Sequence, residues 1–264
     1  MVLATANSWA WLWLSVCLGP LAQAGQTLAG PPVAQTELAT RARQNLQEAQ
    51  ARYEKAPGEA DGAWKLARAC FDLADLATNK AQRASLAERG IAVCQQAIER
   101  APDLAPLHYY LGMNLGELAE TKGLTALKLV KPMQRAFDRA RELDEHLDWA
   151  GPDRNLGLLY RDAPAIGSIG SRAKAREHLK RAVELAPSYP ENSLNLIEAL
   201  VKWGDRDTAR RQLTALETVW PTARTNFVGI TWAASWADWE LRLQKLKKKI
   251  EAPRKSLGAP RNQP

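Results

Sequence analysis

The feature that most constrains this chain is a thirteen-residue pattern that returns four times. It reads GIAVCQQAIERAP at 90–102, MQRAFDRARELDE at 133–145, AREHLKRAVELAP at 175–187 and ARRQLTALETVWP at 209–221. In register, the eighth position is Ala97, Ala140, Ala182 and Leu216, and the first is small in three of the four (Gly90, Ala175 and Ala209). The thirteenth is Pro102, Glu145, Pro187 and Pro221. Positions one, five and eight are four and three residues apart, so they share one face of a helix. A short helix with one such face cannot bury it alone, and a chain that repeats it must stack one copy on the next.

These segments resemble the second helix of a tetratricopeptide repeat (TPR). There a small residue, a large one and another small one face the partner helix, and a proline ends the helix. First helices fit the same pattern. LHYYLGMNL, DRNLGLLY and SLNLIEAL place Leu111-Gly112, Leu156-Gly157 and Leu196-Ile197 in the repeat's Leu-Gly slot, with Leu115, Tyr160 and Leu200 following. DGAWKLARACFDLA supplies an earlier first helix, with Trp64 and Phe71 on one face, and residues 190–223 match the 34-residue period with no insertion. Gly204-Asp205 is placed to close a helix. Alanine and leucine dominate and β-branched residues are sparse, which agrees with an all-helical chain. The expectation is an all-α, TPR-like solenoid of nine or ten helices over residues 35–250. A helix at 35–56, striped by Leu38, Ala42, Leu46, Ala49 and Tyr53, opens it, and a long helix at 224–250 closes it.

Two hairpins depart from the period. Gly112 to Met133 is nine residues longer than the standard spacing and Gly157 to Ala175 six longer. The first insertion, ETKGLTALKLVKP, reads as a lengthened helix with Pro132 as a kink or a restart. The second, RDAPAIGSIGS, reads as a loop on one rim of the solenoid, with Ser171 as N-cap of the helix that follows. Its glycines either permit turn geometry or present backbone N–H groups to an anion. Arg161, Asp162 and Arg172 flank the loop. They read either as a local lattice that pins it or, with Arg154 joining Arg172, as forks for an acidic group of a ligand or partner.

The first 24 residues carry no charge and end in Ala22-Gln23-Ala24, the pattern of a secretory signal cleaved before Gly25, although no basic residue precedes the apolar run. The expectation is a periplasmic or secreted protein with a flexible leader at 25–34; an uncleaved signal would instead anchor it to a membrane. Leu14-Ser15-Val16-Cys17 departs from a lipobox at Val16. Cys70 and Cys94 then remain, either to pair in an oxidising compartment or to pack as small apolar residues. Net charge is +7, but both signs are interleaved except in the basic tail, 251–264, which is expected to be disordered. No aromatic–basic platform accompanies it, so nucleic acid is not expected as a partner. Three scattered histidines and no Cys/His cluster give no metal site, and no nucleophile–base, phosphate-loop or cofactor motif appears. The chain reads as a non-enzyme without a cofactor.

Candidate binding residues come from LHYYLGMNLGELAETKGL, which places Tyr110, Asn114 and Glu117 on one side of a helix, with His108 and Tyr109 at the same end. A polar stripe of this kind serves a ligand-lining helix or an ordinary exposed face. Trp232, Trp236 and Trp239 share a face of the last helix, for core packing or for docking a partner. This text, together with FDRARELDEHLDWAGPDRNLGLLY and SRAKAREHLKRAVELAPSYPEN, resembles the TPR-like T-component proteins of periplasmic TRAP transporters over about Ala105 to Leu213. The resemblance implies an exported helical protein with a cavity for a small organic ligand and a periplasmic solute-binding protein as partner. Tyr110, Asn114, Arg154 and Tyr160 would then be cavity residues, beside Glu117 and Arg172 from the helix and loop reading. The alternative is a TPR protein-interaction scaffold in cell-envelope assembly.

Overall fold

The computed structural model describes residues 32–252, with side chains from residue 36. The expected signal, most of the leader and all but the first two residues of the basic tail lie outside the described residues. Ten α-helices follow in order: α1 (Pro32–Lys55), α2 (Ala60–Asp75), α3 (Lys80–Ile98), α4 (Ala105–Thr121), α5 (Leu127–Leu143), α6 (Leu147–Asp162), α7 (Arg172–Leu185), α8 (Pro190–Lys202), α9 (Arg206–Asn226) and α10 (Ala233–Glu251). Helices α2 to α9 form four hairpins, each packed on the next. Helix α1 covers α2, and α10 lies on α8 and α9. Helix α1 starts at Pro32, a few residues inside the expected leader.

The repeat positions do what sterics requires of them. Position five of each second helix is Cys94, Phe137, Leu179 or Leu213, and all four are buried, as are Ala97, Ala140, Ala182 and Leu216 at position eight. Gly112 lies against position five of its own hairpin: a methyl there would sit 2.6 Å from the Phe137 ring. Gly157 faces Leu179 in the same way. In these two hairpins the Leu-Gly slot is thus a contact surface that admits no side chain, whereas the last hairpin buries Ile197 there.

The helix starts alternate in chemistry. Three second helices begin on a side-chain cap: Asn79 accepts from the Gln82 N–H at 2.9 Å, Ser171 from Lys174 at 3.3 Å and Asp205 from Thr208 at 3.3 Å. First helices α4 and α8 begin instead on a proline in the first turn, whose missing N–H would have no partner there. Gly204 takes a φ of 77° after α8, and the Asp205 N–H reaches back to the Leu200 carbonyl at 2.9 Å, which closes the helix.

One expectation about proline needs correction, and one of the two alternatives for another is settled. Helix α9 does not stop at Pro221 but runs on to Asn226. Glu217, whose carbonyl loses its donor, and Pro221 are both exposed, so water can satisfy that carbonyl, while Ala223 and Phe227 beyond it are buried. Pro132 lies inside α5, which runs through it without restarting, preceded by a 3₁₀ turn at Gly123–Ala126.

Three apolar clusters follow the array. One spans α1 to α4 around Leu66, Cys70 and Leu107. The central one gathers Phe71, Tyr109, Met113, Phe137, Leu156 and Tyr160. The last is aromatic, with Tyr189, Phe227, Trp232, Trp236 and Trp239. The closing helix starts at Ala233 rather than at 224, so Trp232 lies in a 3₁₀ turn (Ile230–Trp232) before it; with Trp236 and Trp239 it packs the core. Cys70 and Cys94 are buried free thiols, and burial pushes the Cys70 thiol up to about 11, so neither is primed for reaction.

Candidate functional site

The least ordinary backbone in the described chain is the start of α6. Asp148, Trp149 and Ala150 are three successive left-handed residues, with φ of 51°, 53° and 61°. None is glycine, and for L-residues the conformation costs about 1–2 kcal/mol each. Such strain persists only where the surroundings over-determine it, which is also how binding sites are built.

Arg154 supplies the constraint. One guanidinium nitrogen, Nη1, donates to the Asp148 and Trp149 carbonyls, both at 3.2 Å, and to Asn192 Oδ1 at 3.1 Å. Nη2 donates to Asp148 Oδ2 at 2.6 Å and to the Tyr109 hydroxyl at 3.4 Å. That hydroxyl in turn donates to Asp148 Oδ2 at 2.7 Å and accepts from Asn155 Nδ2 at 3.2 Å. Asn192 Nδ2 holds the Trp149 carbonyl from α8 at 3.0 Å. The turn is therefore tied to three elements at once: α4, α6 and α8. Burial, and then the Asp148 carboxylate, holds the Tyr109 phenol well above its ordinary range, so it stays a donor.

Around this hub the wall continues on α2. Trp64 is half-buried and stacks on Tyr110 with ring centres 5.9 Å apart. Tyr110 meets Tyr109 edge-on at 5.2 Å. Arg68, one helical turn after Trp64, lies in the field of Tyr110, Asp72, Asp148 and Tyr109. Its side chain is 15% exposed and its ion pair is long, with Nε 3.7 Å from Asp72. Burial pushes Asp72 up to about 7, against the pull of Arg68, so near neutrality much of its compensating charge is gone. The result is a guanidinium beside an aromatic wall, largely desolvated and weakly paired, which suits a carboxylate or phosphate brought by a partner.

The structure brings together two of the expected site residues. Tyr110 and Arg154 belong to this hub, linked through Tyr109. Asn114 and Glu117 continue the same helix but are fully buried, so the stripe is not an exposed face. Asn114 donates to the Ala67 carbonyl at 3.0 Å and to that of Tyr110 at 2.8 Å. Glu117 accepts from Arg83 of α3 at 3.1 Å, and burial drives its carboxyl strongly upward. Tyr160 turns elsewhere: its hydroxyl accepts from Gln134 of α5 at 3.0 Å and its ring stacks on His178 of α7. Arg172 is exposed on the rim loop, over the ring of Trp203 at 5.3 Å. Arg161 and Asp162 form a bidentate pair with each other, at 2.9 and 2.6 Å. Sequence reasoning missed Arg68, Asp72, Asp148 and Asn192. The spacing of Trp64, Arg68 and Asp72, four residues apart along one face, was the available signal. Among the described residues no group of three or more His, Cys, Asp or Glu side chains could hold a metal ion.

Solved structures include a match over most of the chain: a thermophilic TPR protein from Thermus thermophilus, 17% identical, with a TM-score of 0.59, covering 81% of this chain and 94% of that one. The fold is a TPR-like α-solenoid. At that identity the likeness carries the fold alone. A family model described as Regulator of microtubule dynamics protein 1-3 matches residues 21–150, just under half of the chain. This is a different family from the TRAP T-components. No curated protein matches the chain.

Proposed function

We propose that the protein is a non-enzymatic interaction scaffold that receives a segment of another protein at the Trp64–Arg68–Tyr110–Asp148 wall. A TPR-like fold supports protein binding in general, and stacked helical hairpins offer extended surfaces for it. The observation that carries the reading is Arg68, a largely buried guanidinium whose ion pair among the described residues is a long one, 3.7 Å, next to a half-buried tryptophan. An acidic side chain or a C-terminal carboxylate flanked by an apolar residue is the chemistry it would accept.

A displayed random-peptide library, screened against the full chain and against Arg68→Gln, tests this. Selected peptides should share a carboxylate beside an apolar residue and lose affinity about tenfold or more for the variant. Selection of peptides that bind both proteins equally, or of none, would refute the assignment.

A second reading is an exported accessory protein beside a TRAP-type transporter, binding a small ligand or a periplasmic solute-binding protein. It is supported by the Ala22-Gln23-Ala24 leader pattern and by the resemblance over 105–213. Native mass spectrometry of the protein taken from its own host separates the two. A chain beginning at Gly25 with a small bound mass or a co-eluting solute-binding protein supports the second reading; a chain with other envelope proteins attached supports the scaffold.

A further inference from the structure

The turns inside the hairpins share one rim. Arg176 bonds Asp205 at 2.9 Å and Lys202 bonds Asp162 at 3.1 Å, which joins the third and fourth turns. Arg83 bonds Glu117, joining the first hairpin to the end of α4. Ala126 and Val130 of the second turn and Ala163 of the third enter one apolar cluster.

The two insertions that break the repeat period lie side by side on this rim, and each projects apolar side chains into solvent. Leu124 is 70% exposed, Leu127 39% and Ile166 95%. Cations surround them. Most carboxylates near the rim are already engaged: Glu88 with Lys122, Glu120 with Arg83, Asp162 with Arg161 and Lys202, Asp205 with Arg176 and Asp207 with Arg210, while Glu177 is exposed with no ion pair among the described residues. Lys80, Lys128 and Lys131 are exposed and make no ion pair among the described residues, and Arg172 and Lys174 rest on the rings of Trp203 and Tyr160 rather than on carboxylates. The opposite rim, which also exposes Val228 and Ile230, carries Asp103, Glu142 and Glu145 on its turns and helix ends, paired with Arg139 and Arg181.

We infer that this rim docks on an anionic phospholipid surface, with Leu124, Leu127 and Ile166 entering the headgroup layer and the uncommitted lysines holding lipid phosphates. Apolar tips that project from turns need a surface that can deform around them, and compact ammonium charges beside them draw on the negative potential of such a surface. A rigid acidic protein would satisfy the lysines but would have to provide a pocket for each tip.

Hydrogen–deuterium exchange of the full chain reads the rim directly, whether or not the apolar N-terminal segment also enters the bilayer. With vesicles of phosphatidylcholine and phosphatidylserine, amides in 122–131 and 163–174 should exchange about tenfold more slowly. Those of 99–104 and 144–146 should not change, and phosphatidylcholine alone should have little effect. Leu124→Ser/Ile166→Ser and Lys128→Glu/Lys131→Glu, both at exposed positions, should each remove most of the slowing while circular dichroism stays unchanged. Vesicle-bound protein with unchanged exchange at the rim, or no vesicle binding, overturns the inference. So does equal slowing by soluble polyglutamate that survives Leu124→Ser/Ile166→Ser, which would assign the rim to an acidic protein. Slowing that depends on protein concentration without vesicles would assign it to a second copy of the chain.

Discussion

Replacing Arg154 with methionine asks whether the left-handed turn is held by this one side chain. Methionine keeps the alkyl volume and removes every donor. Five hydrogen bonds disappear, two of them to the carbonyls of the strained residues themselves. Breaking a buried ion pair from one side costs about 3–5 kcal/mol, because the partner's charge is left behind. Here the loss belongs at the lower end. The Asp148 side chain is 21% exposed and keeps the Tyr109 hydroxyl, and the Trp149 carbonyl keeps Asn192. The expected loss is therefore about 3 kcal/mol. Urea unfolding, followed by tryptophan fluorescence, gives the number; Trp149, stacked on Tyr189 with ring centres 5.0 Å apart, makes the hub visible in it. Adding Asp148→Asn to the variant should recover part of the loss, since the orphaned charge is then gone. A loss below about 1 kcal/mol, or a double variant no better than the single, would show that the turn is held by something other than Arg154.

Two further outcomes follow from other parts of the array. Gly112→Ala should destabilise the protein by about 1–3 kcal/mol in the same assay, because the new methyl meets a Phe137 ring that is itself fully buried. Asp72 makes stability fall, rather than rise, with pH. Its folded pKa, about 7, lies above the ordinary 3.8, so the folded state holds the proton more tightly than the unfolded chain. Its contribution to stability is full below about pH 4 and lost as pH rises to about 7. Unfolding midpoints measured across that window should fall less steeply for Asp72→Asn than for the parent chain, and an equal slope would refute the shift.

Much of this architecture was legible because single positions are decided by sterics or by an orphan hydrogen bond. Gly112 and Gly157 mark places with no room for a methyl, Ser171 caps a helix whose N–H groups need an acceptor, and the insertion lengths located the rim. Helix α9 was misread because Pro221 reads as a stop, and its tolerance depends on Ala223 and Phe227 being buried further on. The left-handed turn was hidden, since Trp149 and Ala150 are not residues that mark positive φ and Asp148 alone is a weak sign; the cause is Arg154 and Asn192, one of them forty-odd residues along the chain. The burial of Glu117 was hidden for the same reason, as its cation, Arg83, comes from the preceding hairpin.

The closing helix also changes the face that the array offers to other molecules. A stack of like units presents at each end a surface made like its own interior, and a further unit, or another molecule, could continue it. Helix α10 turns Trp236, Trp239, Leu243 and Leu246 inward and leaves Glu240, Lys245, Lys248 and Lys249 outward. Arg224 of α9 pairs with Glu240 across that outer side. The face that would template another unit is thereby replaced by a hydrated, mostly cationic one. At this end the stack of hairpins presents a face unlike its own interior.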